Sequence, residues 1–317
     1  MSVILGIDIG GSTTKIVGLR PDGSHIAMHR VQAQDPITSL YGALGNFLFS
    51  NGLQLSDVDR IALTGVGASY VDGDIYGIPT EKVDEFAAVG TGGLALSGQE
   101  KAVVISMGTG TAFIWAEKGG EIRHLCGSGV GGGTLAGLCS KLCGTRKYAQ
   151  IVKLAADGDI NNIDLTVGDI TRNSHPSLPL DITAANFGNV SDSATAGDFA
   201  AGAINMVLQS IGTTAVMACR ACGCETVVAT GFMSTLPQAP ECFALFTRLH
   251  GVHFIIPGPP PRPPPTGPAG GGDRKRRRQT TGGPGANAPG RVFSNKAAIG
   301  CHPAEKMSRS SAVLSST

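Results

Sequence analysis

At 317 residues, with 42% hydrophobic and 15% charged residues, the chain is long enough for two domains with cores of their own and too apolar to stay unfolded throughout. Its net charge of +1 conceals two unlike parts: from Gly258 on, ten Lys/Arg stand against Asp273 and Glu305, a balance of +8, so residues 1–257 carry −7. An acidic body speaks against a nucleic-acid partner for the folded part, and eight cysteines without framework spacing speak against a disulfide-stapled secreted scaffold. No secretory leader and no apolar run long enough to cross a bilayer is read, so a cytoplasmic protein with no membrane partner is expected.

In chain order, residues 3–9 and 14–20 are apolar runs about a glycine turn, the pattern of a β-hairpin. PDG at 21–23 supplies the next turn, and His25 to Val31 a third strand. SLYGALGNFLFSNG (39–52) has helical apolar spacing and stops at Gly52, and DRIALTGVG (59–67) is a buried strand delivered into glycine. EKVDEFAAVGTGGLAL (81–96) reads as a helix, or a strand–helix junction, beginning near Asp84 and Glu85.

The second half starts over. KAVVISMGTGTAFIWAEKGG (101–120) reads as strand, Gly-Thr turn, strand and hairpin, and CGSGVGGGTLAGLCSKL (126–142) as a glycine loop entering a helix. After a polar segment over 150–190, the spacing predicts a helix from about 195 to 220, a strand in ETVVATG (225–231) and a helix–strand pair over 243–257. Two halves that open on the same strand–turn–strand pattern imply a duplicated α/β architecture, divided as 1–100 and 101–257, with a ligand cleft between the halves.

At Pro257 the composition changes. The prolines of GPPPRPPPTGPAGGGDRKRRR block helix and sheet and its glycines favour the unfolded chain, so 258–317 is expected to be disordered. DRKRRR (273–278) could bind nucleic acid, act as a nuclear address or contact anionic lipid, and the favoured reading is a solvated charge run. In MACRACGCE, Cys219, Cys222 and Cys224 have a spacing that could ligate a metal, but no fourth ligand stands nearby. The favoured reading is a helix end stopped by Gly223, and Cys139 and Cys143 likewise read as core.

DIGGSTTK, MGTGT and GSGVGGGT have the composition of loops that hold polyphosphate through backbone amides. Hydroxyls on Ser12, Thr13, Thr109 and Thr111 add donors, Lys15 adds a cation, and GGGT brings a helix N-terminus. None matches GxxxxGK[ST] or a dinucleotide GxGxxG, and each alone is also an ordinary hairpin turn; together they favour nucleotide phosphotransfer. Asp8 at a strand end reads equally as a Mg²⁺ contact through water or as a turn cap. Asp84 and Glu85 read as helix N-terminal acids or as the carboxylate that an acceptor hydroxyl needs.

DIGGSTTK, VDEF, the GTGT turn, GVGGGTLAGL, GDINNIDLTVGDI and DITAANFGNV, in this order, resemble the type II pantothenate kinases over residues 3 to about 257. The resemblance implies an α/β fold of duplicated actin/sugar-kinase/Hsp70-like (ribonuclease H-like) domains. It implies phosphorylation of the 4′-hydroxyl of pantothenate with ATP and Mg²⁺, the first step toward coenzyme A, by a homodimer. Glu85 would be the base, Asp8 would hold Mg²⁺ through water, and Gly10, Gly11, Ser12, Thr13, Thr14, Lys15 and Thr109 would hold phosphate. Gly132, Gly133, Thr134, Leu135 and Ala136 would line the nucleotide, with Tyr148 near base or ribose, and Arg123, Ser128 and Gly129 would meet the substrate. Asn186 falls on a motif position with no chemistry attached.

The sequence departs from the family pattern where an arginine commonly precedes the GG–GGG loop: His124 stands there, with Arg123 one step earlier. Phe232 follows VVATG where a serine often faces the nucleotide, and it reads as an adenine stack or as packing. Where the resemblance implies a helix that closes the nucleotide domain, the tail stands instead, which predicts a reading-frame change near residue 258 that resequencing of the coding DNA tests. Other readings are an amino-sugar kinase of the same superfamily, an iron–sulfur activator ATPase for a dehydratase, and a catalytically impaired regulatory relative.

Overall fold

The computed structural model describes residues 2–10, 13–32, 35–171 and 179–258. Gly11 and Ser12 of the first glycine turn lie outside the described residues, as does the tail from 259 with its expected disorder, frame change and basic run. The described chain forms two units, one ending at Asp84 and the other beginning at Glu85.

The first unit is built on a five-stranded sheet of order β3-β2-β1-β4-β5, from β1 (Val3–Ile9), β2 (Thr13–Leu19), β3 (His25–Gln32), β4 (Val58–Thr64) and β5 (Thr80–Lys82). β1, β2 and β3 are consecutive antiparallel neighbours, while β4 lies parallel to β1 and β5 parallel to β4. The helix α1 (Pro36–Asn51) starts where Asp35 accepts from the Thr38 amide, with Pro36 at its first position, and stops at Gly52 in the left-handed conformation. Its apolar stripe, Leu40, Ala43, Leu44 and Phe47, is buried with Ile7, Ile9 and Ile16 of the sheet. Each of the large side chains contributes about 1.5–3 kcal/mol by leaving water.

The second unit repeats the scheme. Its sheet has the order β12-β11-β6-β7-β8, from β6 (Lys101–Met107), β7 (Thr111–Glu117), β8 (Ile122–Ser128), β11 (Thr226–Thr230) and β12 (His253–Ile255). Again three consecutive antiparallel strands are joined by two parallel ones. The repeat extends to a corner the sequence reading did not use. β4 and β11 both end in Thr-Gly, with Gly65 at φ 88° and Gly231 at φ 92°, and each runs into a 3-10 turn, Val66–Tyr70 or Phe232–Thr235. Only glycine fits there: a Cβ would come within 2.5 Å of Asp8 Oδ1 at Gly65 and of the Met107 carbonyl oxygen at Gly231.

The helix α2 (Glu85–Ser97) lies on β6, β7, β8 and β11 and shares a core with Val104, Ile114, Ala116 and Val228. Its contacts therefore put it in the second unit, whereas the pattern reading had grouped residues 1–100. The opposite face of that sheet carries α3 (Gly132–Leu142), α4 (Tyr148–Ala156), α6 (Ala196–Cys222) and α7 (Ala239–His250) around one large core. α6 begins with a Thr195–Asp198 capping box and ends at Gly223, φ 61°. By length and composition α6 is apolar enough to cross a membrane, which the sequence reading missed; in this fold Ala203, Ile204, Val207, Leu208 and Ile211 are fully or almost fully buried.

The polar segment over 150–190 is not a plain loop. It holds α4, β9 (Leu165–Thr166), α5 (Val167–Ile170) and β10 (Thr183–Ala185), and the stretch after β10 is tied to Asp164, which is 2% exposed. The Asp164 carboxylate accepts from the Phe187 amide (2.8 Å), Asn205 Nδ2 (2.8 Å) and Asn186 Nδ2 (3.2 Å). Phe187 is thereby held at φ 58°, a region costly for a residue with a large side chain. Asn186 of the AANFG motif thus has a structural part here, bonding both Asp164 and Gln209.

Candidate active site

In the first unit the chain turns at Gly10, whose amide donates to the Thr13 carbonyl at 3.0 Å. Asp8 and Lys15 are direct partners in the β1–β2 register, so both point to the face away from α1. Lys15 Nζ lies 2.8 Å from Asp8 Oδ2, with Asp8 4% and Lys15 7% exposed. Thr64, the partner of Asp8 on β4, belongs to the same face, and its buried hydroxyl meets no partner among the described residues. Thr13 is half-buried at the turn. Thr14, expected among the phosphate donors, is fully buried and alternates onto the α1 face with Ile16, so its side chain is turned away from the Asp8–Lys15 pair.

Mg²⁺ is tested by the same carboxylate. Asp8 Oδ2 is taken by Lys15, and Oδ1 faces the space that a Cβ on Gly65 would fill, so Asp8 offers one buried carboxylate rather than a cage. Among the described residues no group of three or more His, Cys, Asp or Glu could hold a metal ion. Such a site fits a Mg²⁺ that keeps water and phosphate oxygens as most of its ligands.

In the second unit Ser106 occupies the place of Asp8, paired with Thr230 as Asp8 is with Thr64, and its β7 partner is Ala112 rather than a lysine. The charged pair thus exists in one copy of the repeat only. The two glycine loops of this unit interlock: the Gly132 amide donates to the Gly108 carbonyl (2.9 Å), the Gly133 amide to the Thr109 carbonyl (2.8 Å), and Thr111 Oγ1 to the Val130 carbonyl (2.9 Å). A Cβ at Gly131 would come within 2.7 Å of the Thr109 carbonyl oxygen. Two of the helix-start amides expected to meet phosphate are therefore used to bind loop to loop, which leaves Thr109 presented at an exposed tip. Thr134 Oγ1 accepts from the Gly131 amide at 3.2 Å and donates to the Gly129 carbonyl at 2.8 Å, and Ser128 Oγ accepts from the Val130 amide.

Leu135 does not line a surface; it is fully buried in the core with Met107 and Met233, because the first turn of α3 faces inward there, while Ala136 stays half-buried. Tyr148, first residue of α4, and Phe232 pack ring on ring, centroids 4.0 Å apart at 52°. Phe232 is followed by Met233, whose side chain lies against Gly132, so this aromatic pair borders the glycine loop. Burial pushes the Tyr148 phenol up to about 12, with Thr235 acting in the opposite sense.

Glu85 opens α2 and is half-buried, while Asp84 before it is exposed. On β8 a register shift opposite Phe113/Ile114 pairs Ile114 with His124 and Trp115 with Arg123. Ile114 belongs to the α2 core and Trp115 to the α6 side, so His124, not Arg123, shares a face with α2. Arg123 is exposed and pairs with Glu121 at 3.2 Å. Of the cysteine cluster, Cys219 and Cys224 are buried with both thiols on the Thr226 carbonyl. Burial pushes Cys219 up to about 12, which keeps it a protonated thiol. Sequence reasoning missed Thr64, His124's position and the Asp164 cluster; the repeated Thr-Gly at 64–65 and 230–231 was the available signal for the first.

The Fumble family profile matches residues 101–246. The type II pantothenate kinase of Staphylococcus epidermidis is 31% identical over 236 residues, 72% of this chain and 84% of that protein. That of Staphylococcus aureus is 30% identical over 237 residues, covering 72% and 83%. Among solved structures, the activator of 2-hydroxyisocaproyl-CoA dehydratase from Clostridium difficile, with bound ADPNP, covers 81% of this chain and 89% of its own at 14% identity, TM-score 0.56. A putative N-acetylmannosamine kinase from Listeria monocytogenes covers 80% and 93% at 12% identity, TM-score 0.52. The latter two share the fold alone, that of the actin/sugar-kinase/Hsp70-like ATPases, seen here as the twice-built sheet. Identity at the staphylococcal level over most of both chains, together with the motifs from DIGGSTTK to DITAANFGNV, makes this chain a member of the type II pantothenate kinase family.

Proposed function

We propose that the protein transfers the γ-phosphoryl group of ATP to the 4′-hydroxyl of pantothenate, as a cytoplasmic homodimer. The observation that carries this reading is the match to the staphylococcal type II pantothenate kinases over 83–84% of their lengths. Lys15, held by Asp8, sets one fixed cation beside the Gly10–Thr13 turn, and Thr109 offers a second donor on an exposed tip. Tyr148 and Phe232 give the adenine an aromatic border. Glu85 accepts the proton as the pantothenate oxygen bonds to phosphorus and the bond to the ADP oxygen breaks; ADP leaves with that electron pair. Mg²⁺, through water on Asp8, would neutralise phosphate charge.

Coupled measurement of ADP release tests the reading. Turnover is expected to depend on pantothenate, and Glu85→Gln should lower kcat by on the order of a hundredfold or more with nucleotide binding retained. Pantothenate-independent turnover, or full activity in Glu85→Gln, would overturn it.

A further inference from the structure

The first turn of α2, which carries Glu85, lies over β8 in a fixed ladder. Gly90 sits so close to the strand that a Cβ there would come within 2.8 Å of Ile122 Cγ2. One helical turn earlier is Phe86, and two strand residues later on the same face is His124. Their rings stack, with centroids 4.2 Å apart and planes inclined by 18°. Toward its middle α2 is held by close backbone approach at Gly90 and Gly93; at its head Phe86 meets an exposed imidazole from an edge strand. A helix end is where backbone hydrogen bonds are fewest and fraying is easiest, so a ring clamp there has the most to restrain.

We propose that His124 is a positioning residue for Glu85: its ring, stacked on Phe86, holds the first turn of α2 and with it the carboxylate one residue away. The role rests on the reading of Glu85 as the base. It asks for a flat ring at 124 and makes no use of the imidazole nitrogens, which separates it from a contact to substrate.

Three variants of the full chain decide it: His124→Ala, His124→Phe and Glu85→Gln. His124→Ala is expected to lower kcat on the order of ten- to a hundredfold with little change in KM for pantothenate, the scale of a small misplacement of a reacting group. His124→Phe should restore most of it. Hydrogen exchange read by mass spectrometry should quicken in the 83–93 peptide of His124→Ala, stay near wild type in His124→Phe, and leave the β6–β7 peptides of both unchanged. Wild-type exchange in His124→Ala would overturn the proposal whatever the kinetics. So would a His124→Phe variant as slow as His124→Ala, which would make the nitrogens the active feature. A wild-type rate in Glu85→Gln would instead remove the assignment of the base, with the exchange data still reporting on the stack.

Discussion

Asp8 and Lys15 show what a buried pair does and does not contribute. Two charges nearly out of water gain little net stability from each other, but removing one leaves the other stranded. Asp8→Asn is therefore expected to cost about 3–5 kcal/mol in urea unfolding of the first unit. Asp8→Asn with Lys15→Met should recover most of that loss while leaving the turn without its cation. Equal stability of Asp8→Asn and wild type would show that Lys15 finds another anion. Ser106 and Ala112, at the same two places in the second unit, hold that corner together with no charge, so the pair is dispensable to the scaffold. The charge therefore distinguishes the first unit's turn from its counterpart in the second.

At the scale of elements, local signals read well where local physics decides. α1 and α6 announce themselves by caps and by apolar spacing, and both end at a left-handed glycine. The capping carboxylate of α6 also sets a pH limit. Amides of Thr195 and Asp159, followed by other hydrogen bonds, hold the Asp198 carboxyl below its ordinary range. The unfolded chain then binds the proton more readily, so this stabilisation is present above about pH 4 and fades as pH falls through the folded value. Urea midpoints from pH 7 to 2.5 should drop more steeply in wild type than in Asp198→Asn; parallel curves would refute the assignment. What escaped the sequence depended on partners far along the chain. Asp164 collects Asn205, 41 residues away, and no periodicity reports that. The sides taken by Arg123 and His124 follow from one register shift on β7–β8, since a slip of one residue exchanges strand faces. Thr14 and Leu135 were placed by motif membership, which does not say which way a side chain turns.

For the whole molecule, the two units have separate cores, one gathered on α1 and β1–β4 and one on α6. Val227, Ala229, Phe243, Phe246 and Val252, all downstream of α6, complete the second. A chain stopped after Gly223 should thus lose exchange protection throughout α6 and retain it in β1, β2 and β4; protection of α6 in that chain would show that its core is sufficient without them. Gly212 of α6 lies against Phe246, where a Cβ would come within 2.6 Å of the ring, so the fit is made by a residue synthesised long after the helix. On the ribosome, α6 therefore emerges, as 27 largely apolar residues, before the strand and helix that cover it can fold onto it. For that interval it resembles the segments that targeting factors and chaperones bind. Yield in a foreign host is consequently expected to respond to chaperone supply as well as to the stability of the finished protein, and a yield unchanged by chaperone co-expression would count against this.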